Sequence, residues 1–289
     1  MRAPRAWARF RRNRAAPVGA ILILLVVAGC LAAPLLDRDR PAGKDVRGGL
    51  SPLGAPLPPS ARFPLGTDMM GRSVAVRVLR GARISLAVGV AATALALAFG
   101  VAVGLVSGYA GGLVDTLLMR LVDLVLAFPF LLLVIALAAA LRERGGGGIG
   151  TVLVVLAVVS WTTMARVVRG VVLTIRELEY VQGARAVGGT RLRILLRHVL
   201  PNLVGPIVVL GTISVAQMIL AESTLAYLGL GAPPPVPTLG RMLSEGQLYL
   251  RGAPWLVTAP GGAILVIVLG FNLLGEGLRD ALDPKDRRS

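Results

Sequence analysis

Residues 179–202 read EYVQGARAVGGTRLRILLRHVLPN, a polar and arginine-bearing segment between long apolar stretches. Its first half has a face at helical spacing, made of Tyr180, Ala184 and Val187. Gly188 then supplies the left-handed conformation that commonly ends a helix, and Thr190 has the side chain of an N-cap. The pattern predicts two short helices hinged at a glycine. The second helix carries an apolar stripe of Leu192, Leu195, Leu196 and Val199.

Long apolar runs surround this segment and indicate the fold class. The mean hydropathy is +0.75 and 55% of the residues are hydrophobic, which is outside the usual range of soluble domains. Six runs are long enough to cross a hydrocarbon core of about 30 Å. They are residues 17–36, 84–110, 117–141, 149–168, 203–225 and 255–278. The sequence predicts an all-α, polytopic membrane protein with about six transmembrane helices.

The net charge of +16 comes almost wholly from arginine, because Lys44 and Lys285 are the only lysines. The arginines lie beside apolar spans and no basic domain with interleaved aromatic residues is present, so the pattern argues against nucleic-acid binding. Basic residues at both termini predict that both ends, and the 179–202 segment, lie in the cytoplasm. The arginine-rich segment 37–83 would then be external, against the positive-inside rule, and its side is left open.

The 179–202 segment resembles the EAA loop of ABC-type import permeases. The family pattern is Glu-Ala-Ala, three residues, Gly, nine residues, Ile, one residue and Leu-Pro. The matching positions are Gln182, Gly183, Ala184, Gly188, His198, Leu200 and Pro201. Gln182, Gly183 and His198 depart from the pattern, whereas the glycine and its distance to Leu-Pro are kept. Without the resemblance, an amphipathic helix lying on the lipid surface explains the segment equally well.

Further stretches resemble permeases of dipeptide, oligopeptide and nickel importers. They are PLGTDMMGRS at 64–73, GARISL at 81–86, ESTLAYLGLG at 222–231 and NLLGEGLRDALDP at 272–284. Their order indicates the second of the two permease types in such systems, and it implies the type I ABC importer permease fold in a bacterial inner membrane. Residues 1–60 would hold the first transmembrane helix and an extended connector. Residues 61–289 would form the permease core, with the EAA loop at about 170–201.

The resemblance implies that the EAA loop docks on a separate ATPase subunit and couples nucleotide-driven movement to the spans. The residues expected to do so are Gln182, Gly183, Ala184, Arg185, Gly188, Arg191, Leu200 and Pro201. The implied partners are a second homologous permease, two ATPase subunits, an extracytoplasmic substrate-binding protein and membrane lipid. ATP and magnesium would be bound by the ATPases, because the chain has no Gly-x-x-x-x-Gly-Lys-Ser/Thr loop. No cofactor, metal or catalytic site is expected in the chain itself, whose only histidine is His198.

Polar residues inside apolar spans are costly in lipid and are therefore candidates for function. Those expected to line the pathway are Ser214, Gln217, Glu222 and Asn272. Glu222 fits a cap of the external turn equally well. A charged network is expected on the third span, formed by Asp115, Arg120 and Asp123.

Two local features are also predicted around the spans. Thr67 or Asp68 is expected to cap an amphipathic helix that enters the second span. Helix kinks are expected at Pro129 and Pro206.

Other functions remain compatible with parts of the pattern. A nickel or other small-solute ABC permease would share the motifs, so peptides, nickel complexes, glutathione and oligosaccharides all stay open as substrates. An ion-coupled secondary transporter would need charged or unwound sites in mid-span and inverted repeats, and neither is clear here. A membrane scaffold without transport activity would tolerate changes at Gly188 and Glu222. The favoured function is a permease subunit of a bacterial ABC importer that forms half of a peptide translocation pathway.

Overall fold

The computed structural model describes residues 15–36 and 48–282, which are largely helical. No β-strand occurs in these two ranges, where the extended pairing is confined to isolated bridges. The helices are α1 (Ala15–Leu36), α2 (Val74–Ala110), α3 (Gly112–Leu126), α4 (Phe130–Glu143), α5 (Ile149–Arg176), α6 (Glu179–Ala186), α7 (Arg191–Ile194), α8 (Leu200–Tyr227), α9 (Leu239–Gly246) and α10 (Trp255–Leu282). A π-helical turn (Leu195–Val199) joins α7 to α8, and a 3-10 turn (Gln247–Tyr249) follows α9.

Five segments in the described part of the chain are long and apolar enough to cross a membrane. They are α1, α2, α5, the stretch Arg191–Tyr227 and α10. Helices α3 and α4 together would make a sixth crossing, but they meet at an angle of 84°. The prediction of an all-α membrane protein with about six spans is confirmed. The basic termini on which the predicted topology depends lie outside the described residues.

The predicted third span, residues 117–141, is not one straight helix. Helices α3 and α4 are separated by residues 127–129. Pro129 explains the break, because proline has no backbone N–H and disfavours a helical conformation at the residue before it. The kink expected at Pro129 is therefore confirmed. Helix α8 continues through Pro206, where the expected kink stays a prediction.

Helix α2 starts well before the predicted second span, and its 37 residues form one uninterrupted helix. Neither Thr67 nor Asp68 caps it, because the residue before its first turn is Ser73, whose side chain makes no capping hydrogen bond. Asp68 instead closes the preceding turn. Its Oδ1 accepts hydrogen bonds from the backbone N–H groups of Met70 and Arg72, at 2.8 and 2.9 Å. The predicted cap is therefore wrong.

Helices α2 and α5 pack against each other backbone to backbone. Gly100, Gly104 and Gly108 recur every four residues on the face of α2 that meets α5. A Cβ at Gly100 would lie 2.3 Å from the Cβ of Met164, and one at Gly104 would lie 2.6 Å from the carbonyl oxygen of Ala165. Small residues at this spacing let membrane helices approach closely. The two helices therefore form a tight pair with no room for larger side chains at these glycines.

The described part of the predicted connector, residues 48–66, is folded back on the helices rather than extended. The hydroxyl of Thr67 donates a hydrogen bond to the carbonyl oxygen of Gly49 at 2.6 Å. The indole N–H of Trp255, at the start of α10, donates to the carbonyl oxygen of Thr67 at 3.1 Å. Residues 37–47 of the connector lie outside the described residues. The division of the chain into two domains stays a prediction.

Candidate coupling loop and pathway groove

The predicted hinge at Gly188 is present. Helix α6 ends just before it, and Gly188 has φ +80°, in the left-handed region that favours glycine. The N–H of Gly189 donates to the carbonyl oxygen of Ala184 at 3.0 Å and closes the turn. Thr190 then caps α7, because its Oγ1 accepts a hydrogen bond from the N–H of Arg193 at 3.4 Å. The two-helix hinge predicted from the sequence is confirmed.

The hinged loop is anchored to the ends of α2 and α5. One buried apolar cluster contains Val181, Ile194 and Val199 of the loop with Val172 and Ile175 of α5. The NH1 of Arg176 donates to the carbonyl oxygen of Gly108 on α2 at 2.9 Å. The guanidinium of Arg185 lies 5.1 Å from the ring centre of Tyr109, which is a cation–π distance. The loop is therefore packed against α5 through the apolar cluster and against the end of α2 through Arg185.

The apolar stripe predicted for the second short helix is wrong in two of its members. Leu192 and Leu196 are 65% and 56% exposed, whereas Ile194 and Val199 are buried. The π-helical turn begins at Leu195, so from there on the register differs from the one that a 3.6-residue period predicts. In the first short helix the buried residue is Val181 rather than the predicted face, since Tyr180 and Val187 are exposed.

Most of the residues predicted to couple the chain to an ATPase lie together at the exposed end of the hinged loop. We call it the coupling surface, and it consists of Gln182, Gly183, Arg185, Val187, Gly188, Arg191 and Leu192. Val187 is 90% exposed and is therefore accessible to a partner protein. Ala184 and Leu200 are half-buried, and Pro201 is exposed at the start of α8. Their role in coupling stays a prediction.

His198, at the isoleucine position of the EAA pattern, packs the two halves of the loop together. Its ring centre lies 6.5 Å from that of Tyr180, with the ring planes 28° apart. Its Nδ1 is buried and has no hydrogen-bond partner among the residues that the structure describes. The side-chain amide of Asn202 donates to the His198 carbonyl oxygen at 2.7 Å. These contacts fit the structural role expected for this histidine.

A groove of about 580 Å³ opens between α5, α8 and the break that separates α3 from α4. We call it the α5–α8 groove. Its polar lining consists of Ser160 and Thr163 on α5 with Ser214, Gln217 and Thr224 on α8. The other lining residues are apolar. The structure thus brings together Ser214 and Gln217, two of the residues predicted to line the pathway.

The other two predicted pathway residues lie elsewhere. Glu222 is 3% exposed, and its Oε2 accepts hydrogen bonds from the hydroxyls of Ser85 at 2.7 Å and Ser223 at 3.4 Å. The carboxylate therefore lies in the packing between α2 and α8, where it neither lines the groove nor caps the external turn. Asn272 is exposed on α10, outside the groove lining. The pathway role of these residues stays a prediction.

Two ion pairs connect α3 to α5. Asp115 accepts two hydrogen bonds from the guanidinium of Arg169, each 2.6 Å long. Asp123 pairs with Arg166. The network predicted for Asp115, Arg120 and Asp123 is therefore wrong in its partners. The arginines come from α5, because that helix packs along α3, and not from Arg120 on α3 itself.

A further group of charges, which was not predicted, joins the loop before α2 to α9. The Oδ2 of Asp68 accepts from the Nε of Arg72 and the NH1 of Arg77, both at 2.6 Å. The NH2 of Arg77 also donates to the Oε2 of Glu245 at 2.8 Å, and the Nε of Arg241 donates to its Oε1 at 2.8 Å. We call these five residues the Glu245 network. It lies at the end of α2 opposite the coupling surface.

The Glu245 carboxylate is held in its ionised form by this network. Burial acts to raise the pKa of Glu245, but the hydrogen bonds from Arg241 and Arg77 outweigh burial and hold the pKa below its ordinary value. The spacing of Arg241 and Glu245, four residues apart on α9, is a helical pair that the sequence does reveal. The link from Glu245 to Arg77 is long-range and has no sequence signal.

Comparison with known proteins identifies the family to which the chain belongs. Residues 100–288 match the family model described as binding-protein-dependent transport system inner membrane component. The chain belongs to this family. Residues 4–47 of the chain also match the model of the N-terminal transmembrane domain of oligopeptide transport permease C. The resemblance inferred from the EAA loop and the other motifs is confirmed.

Curated relatives align with nearly the whole chain. The oligopeptide transport system permease protein OppC of Bacillus subtilis is 41% identical over 98% of this chain and 90% of that protein. The dipeptide transport system permease protein DppC of Alkalihalophilus pseudofirmus is 40% identical over 97% of this chain and 89% of that protein. DppC of Haemophilus influenzae is 39% identical over 96% and 93%, respectively. The chain is therefore a multi-pass permease subunit of a binding-protein-dependent transport system.

Proposed function

We propose that the chain forms one transmembrane half of an ATP-driven importer of dipeptides and oligopeptides. The observation that carries the proposal is the alignment of almost the entire chain with relatives named as oligopeptide and dipeptide permeases. An external energy source follows from the sequence, which lacks a phosphate-binding loop of its own. The coupling surface, with its exposed Val187, is the place where that source would act.

The proposed assembly contains four kinds of protein. A second, homologous permease completes the pathway by covering the open side of the α5–α8 groove. Two ATPase subunits, which bind ATP and magnesium, dock on the coupling surfaces of the two permeases. A substrate-binding protein docks outside, at the end of α2 that carries the Glu245 network. In this arrangement the protein lies in the bacterial inner membrane, with both termini and the coupling surface in the cytoplasm.

Coupling is proposed to proceed through the anchored loop. The exposed residues Gln182, Gly183, Arg185, Gly188 and Arg191 contact the ATPase, and Gly188 allows the close backbone approach that a larger residue would prevent. Ala184, Leu200 and Pro201 set the position of the two short helices. Closure of the ATPases displaces the loop, and its contacts with α2 and α5 pass the displacement to the helices that border the groove.

The groove lining favours peptides over bare metal ions as cargo. Among the groove residues that the structure describes there is no histidine, cysteine or carboxylate, so a nickel ion would find none of its usual ligands there. Hydroxyl and amide groups instead offer donors and acceptors that match a peptide backbone. A secondary transporter is the weaker explanation, because it assigns no role to an exposed, anchored loop.

Reconstitution tests this function. The chain is purified with its companion permease and ATPases, inserted into vesicles, and assayed for ATP-dependent uptake of a labelled tripeptide supplied on the binding protein. Val187→Asp places a charge on the coupling surface and should abolish ATPase association and uptake. Leu53→Asp is the matched control for ATPase association, because Leu53 is 95% exposed at the opposite end of the molecule. ATPase association that survives Val187→Asp, or wild-type vesicles that take up no peptide, would contradict the proposal.

A further inference from the structure

Gln217 is an exposed amide on an otherwise apolar membrane helix. It lies on α8, between the buried residues Ala216 and Met218, and its side chain faces the α5–α8 groove. No residue in the described ranges 15–36 and 48–282 hydrogen-bonds its side chain. An amide with unsatisfied donors and acceptors is costly in hydrocarbon. Gln217 therefore faces water, or a solute that can satisfy it, rather than lipid.

Two hydroxyl groups at the floor of the groove are held only weakly. Ser160 on α5 donates to the sulfur of Met218 on α8 at 3.3 Å, and Ser214 on α8 donates to the sulfur of Met164 on α5 at 3.9 Å. A thioether is a weak acceptor, so each hydroxyl loses little if it turns to a better partner. The groove thus contains an amide without a hydrogen-bond partner among the described residues. The hydroxyls beside it can give up their weak bonds to sulfur for stronger bonds to a ligand.

The groove also carries no fixed charge. None of the lining residues that the structure describes is Asp, Glu, Lys or Arg. The charged residues nearest to it along α3 and α5, Asp123 and Arg166, are paired with each other. A wall of this kind attracts neither cationic nor anionic side chains, and it repels neither.

We infer that the α5–α8 groove contacts the peptide backbone of the cargo and is indifferent to its net charge, with the Gln217 amide as the main backbone contact. The inference rests on the proposed peptide import and assigns the substrate class that this wall accepts. Backbone N–H and C=O groups occur in every peptide, and the Gln217 amide offers one partner for each kind. Peptides with basic, acidic or neutral side chains then pass this wall equally well.

Charge substitutions at Gln217 test the inference. Uptake is measured in vesicles containing the whole importer, with three tripeptides that differ only in a central Lys, Glu or Ala, each supplied on saturated binding protein. Wild type should take up the three at similar rates. Gln217→Glu should lower the rate for the Glu peptide relative to the Lys peptide by about tenfold, and Gln217→Lys should reverse the order. Gln217→Asn shortens the amide without adding charge, so it should keep the three rates equal to one another even where it lowers all of them.

The outcomes separate this inference from the proposed function. Uptake ratios that stay at the wild-type values in both charged variants would overturn the inference while leaving peptide import intact. Equal loss of all three peptides in the charged variants, with Gln217→Asn active, would also overturn it, because the effect would then not depend on peptide charge. Wild-type vesicles that hydrolyse ATP but take up none of the three peptides would count against the proposed function instead.

Discussion

Gly188 and Gly183 are both exposed on the coupling surface, yet they have opposite backbone requirements. Gly188 has φ +80°, whereas Gly183 lies within helix α6, and a Cβ at either position would meet no atom within 4 Å. Space is therefore not the difference between them. Only the backbone conformation distinguishes a glycine that the turn requires from one that the helix merely tolerates.

Alanine at these two positions should act in opposite directions. Gly188→Ala should destabilise the hinge by about 1 kcal/mol, because the left-handed conformation is unfavourable for a residue with a Cβ. Gly183→Ala should stabilise α6 by up to about 1 kcal/mol, because alanine favours a helix. Hydrogen exchange over residues 179–199 measures both effects. Protection should fall in the first variant and rise in the second, and equal changes would contradict the assignment of the hinge.

The Glu245 network should make stability depend on pH. The folded-state pKa of Glu245 is lowered by hydrogen bonds from Arg241 and Arg77, which outweigh the effect of burial, so folding favours the ionised form. This contribution is fully present above the ordinary glutamate pKa and is lost as the pH falls through the lower, folded-state value. Thermal unfolding between about pH 7 and pH 3 should therefore show a smaller decrease in Tm for Glu245→Gln than for wild type. Parallel curves would show that the carboxylate contributes nothing.

Structural features formed by residues close together in the sequence were predictable. The hinge follows from a glycine and a threonine two residues apart, and both features are visible in the sequence. The bond from Arg77 to Glu245 joins residues separated by 168 positions, so it needed the folded chain. The burial of Glu222 against Ser85 was not predictable for the same reason.

At the scale of helices, the close packing of α2 on α5 should be the least tolerant contact. Gly100→Ala should destabilise the protein by about 1–3 kcal/mol, because the new methyl group would overlap Met164. Gly170→Ala on α5 is the control, since a Cβ there meets nothing within 4 Å. Thermal unfolding in detergent should show a lower Tm for the first variant only. A similar Tm for both variants would show that the helix pair can separate without cost.

Helix positions were easier to predict than helix breaks and helix faces. The apolar runs locate the spans, because hydrocarbon selects for length and hydrophobicity. Pro129 predicts an interruption between α3 and α4, but the angle of 84° was not predictable, because proline only kinks many helices and breaks others. The sequence predicted one apolar stripe that includes Leu192 and Leu196, but it did not reveal the π-helical turn at Leu195–Val199.

For the molecule as a whole, the predicted topology can be tested with single cysteines. Cys30 is the only cysteine of the chain and is 3% exposed, so it gives little background with a membrane-impermeant maleimide. Leu53→Cys should be labelled from outside intact cells. Val187→Cys should be labelled only after the membrane is opened. Labelling of both positions from the same side would contradict an orientation in which the coupling surface is cytoplasmic.

From sequence alone, the positive charge of segment 37–83 argues against an external location for this segment. The structure shows that Arg72 and Arg77 are paired with Asp68 and Glu245, so part of the positive charge is neutralised within the fold. Residue counts alone do not reveal such pairing. The spans and the family were therefore predictable, whereas the charge balance of this loop required tertiary contacts.

Helix α2 has a length that no bilayer requires. At 1.5 Å per residue its 37 residues measure about 55 Å, against a hydrocarbon core of about 30 Å. Arg77 in its first turns belongs to the Glu245 network. In its last turn, Gly108 accepts a hydrogen bond from Arg176 of α5, and Tyr109 lies against Arg185 of the coupling loop. One uninterrupted helix thus connects the Glu245 network to the contacts of the coupling loop. A tilt of this helix by a few degrees would move its Arg77 end and its Tyr109 end at the same time and in opposite directions.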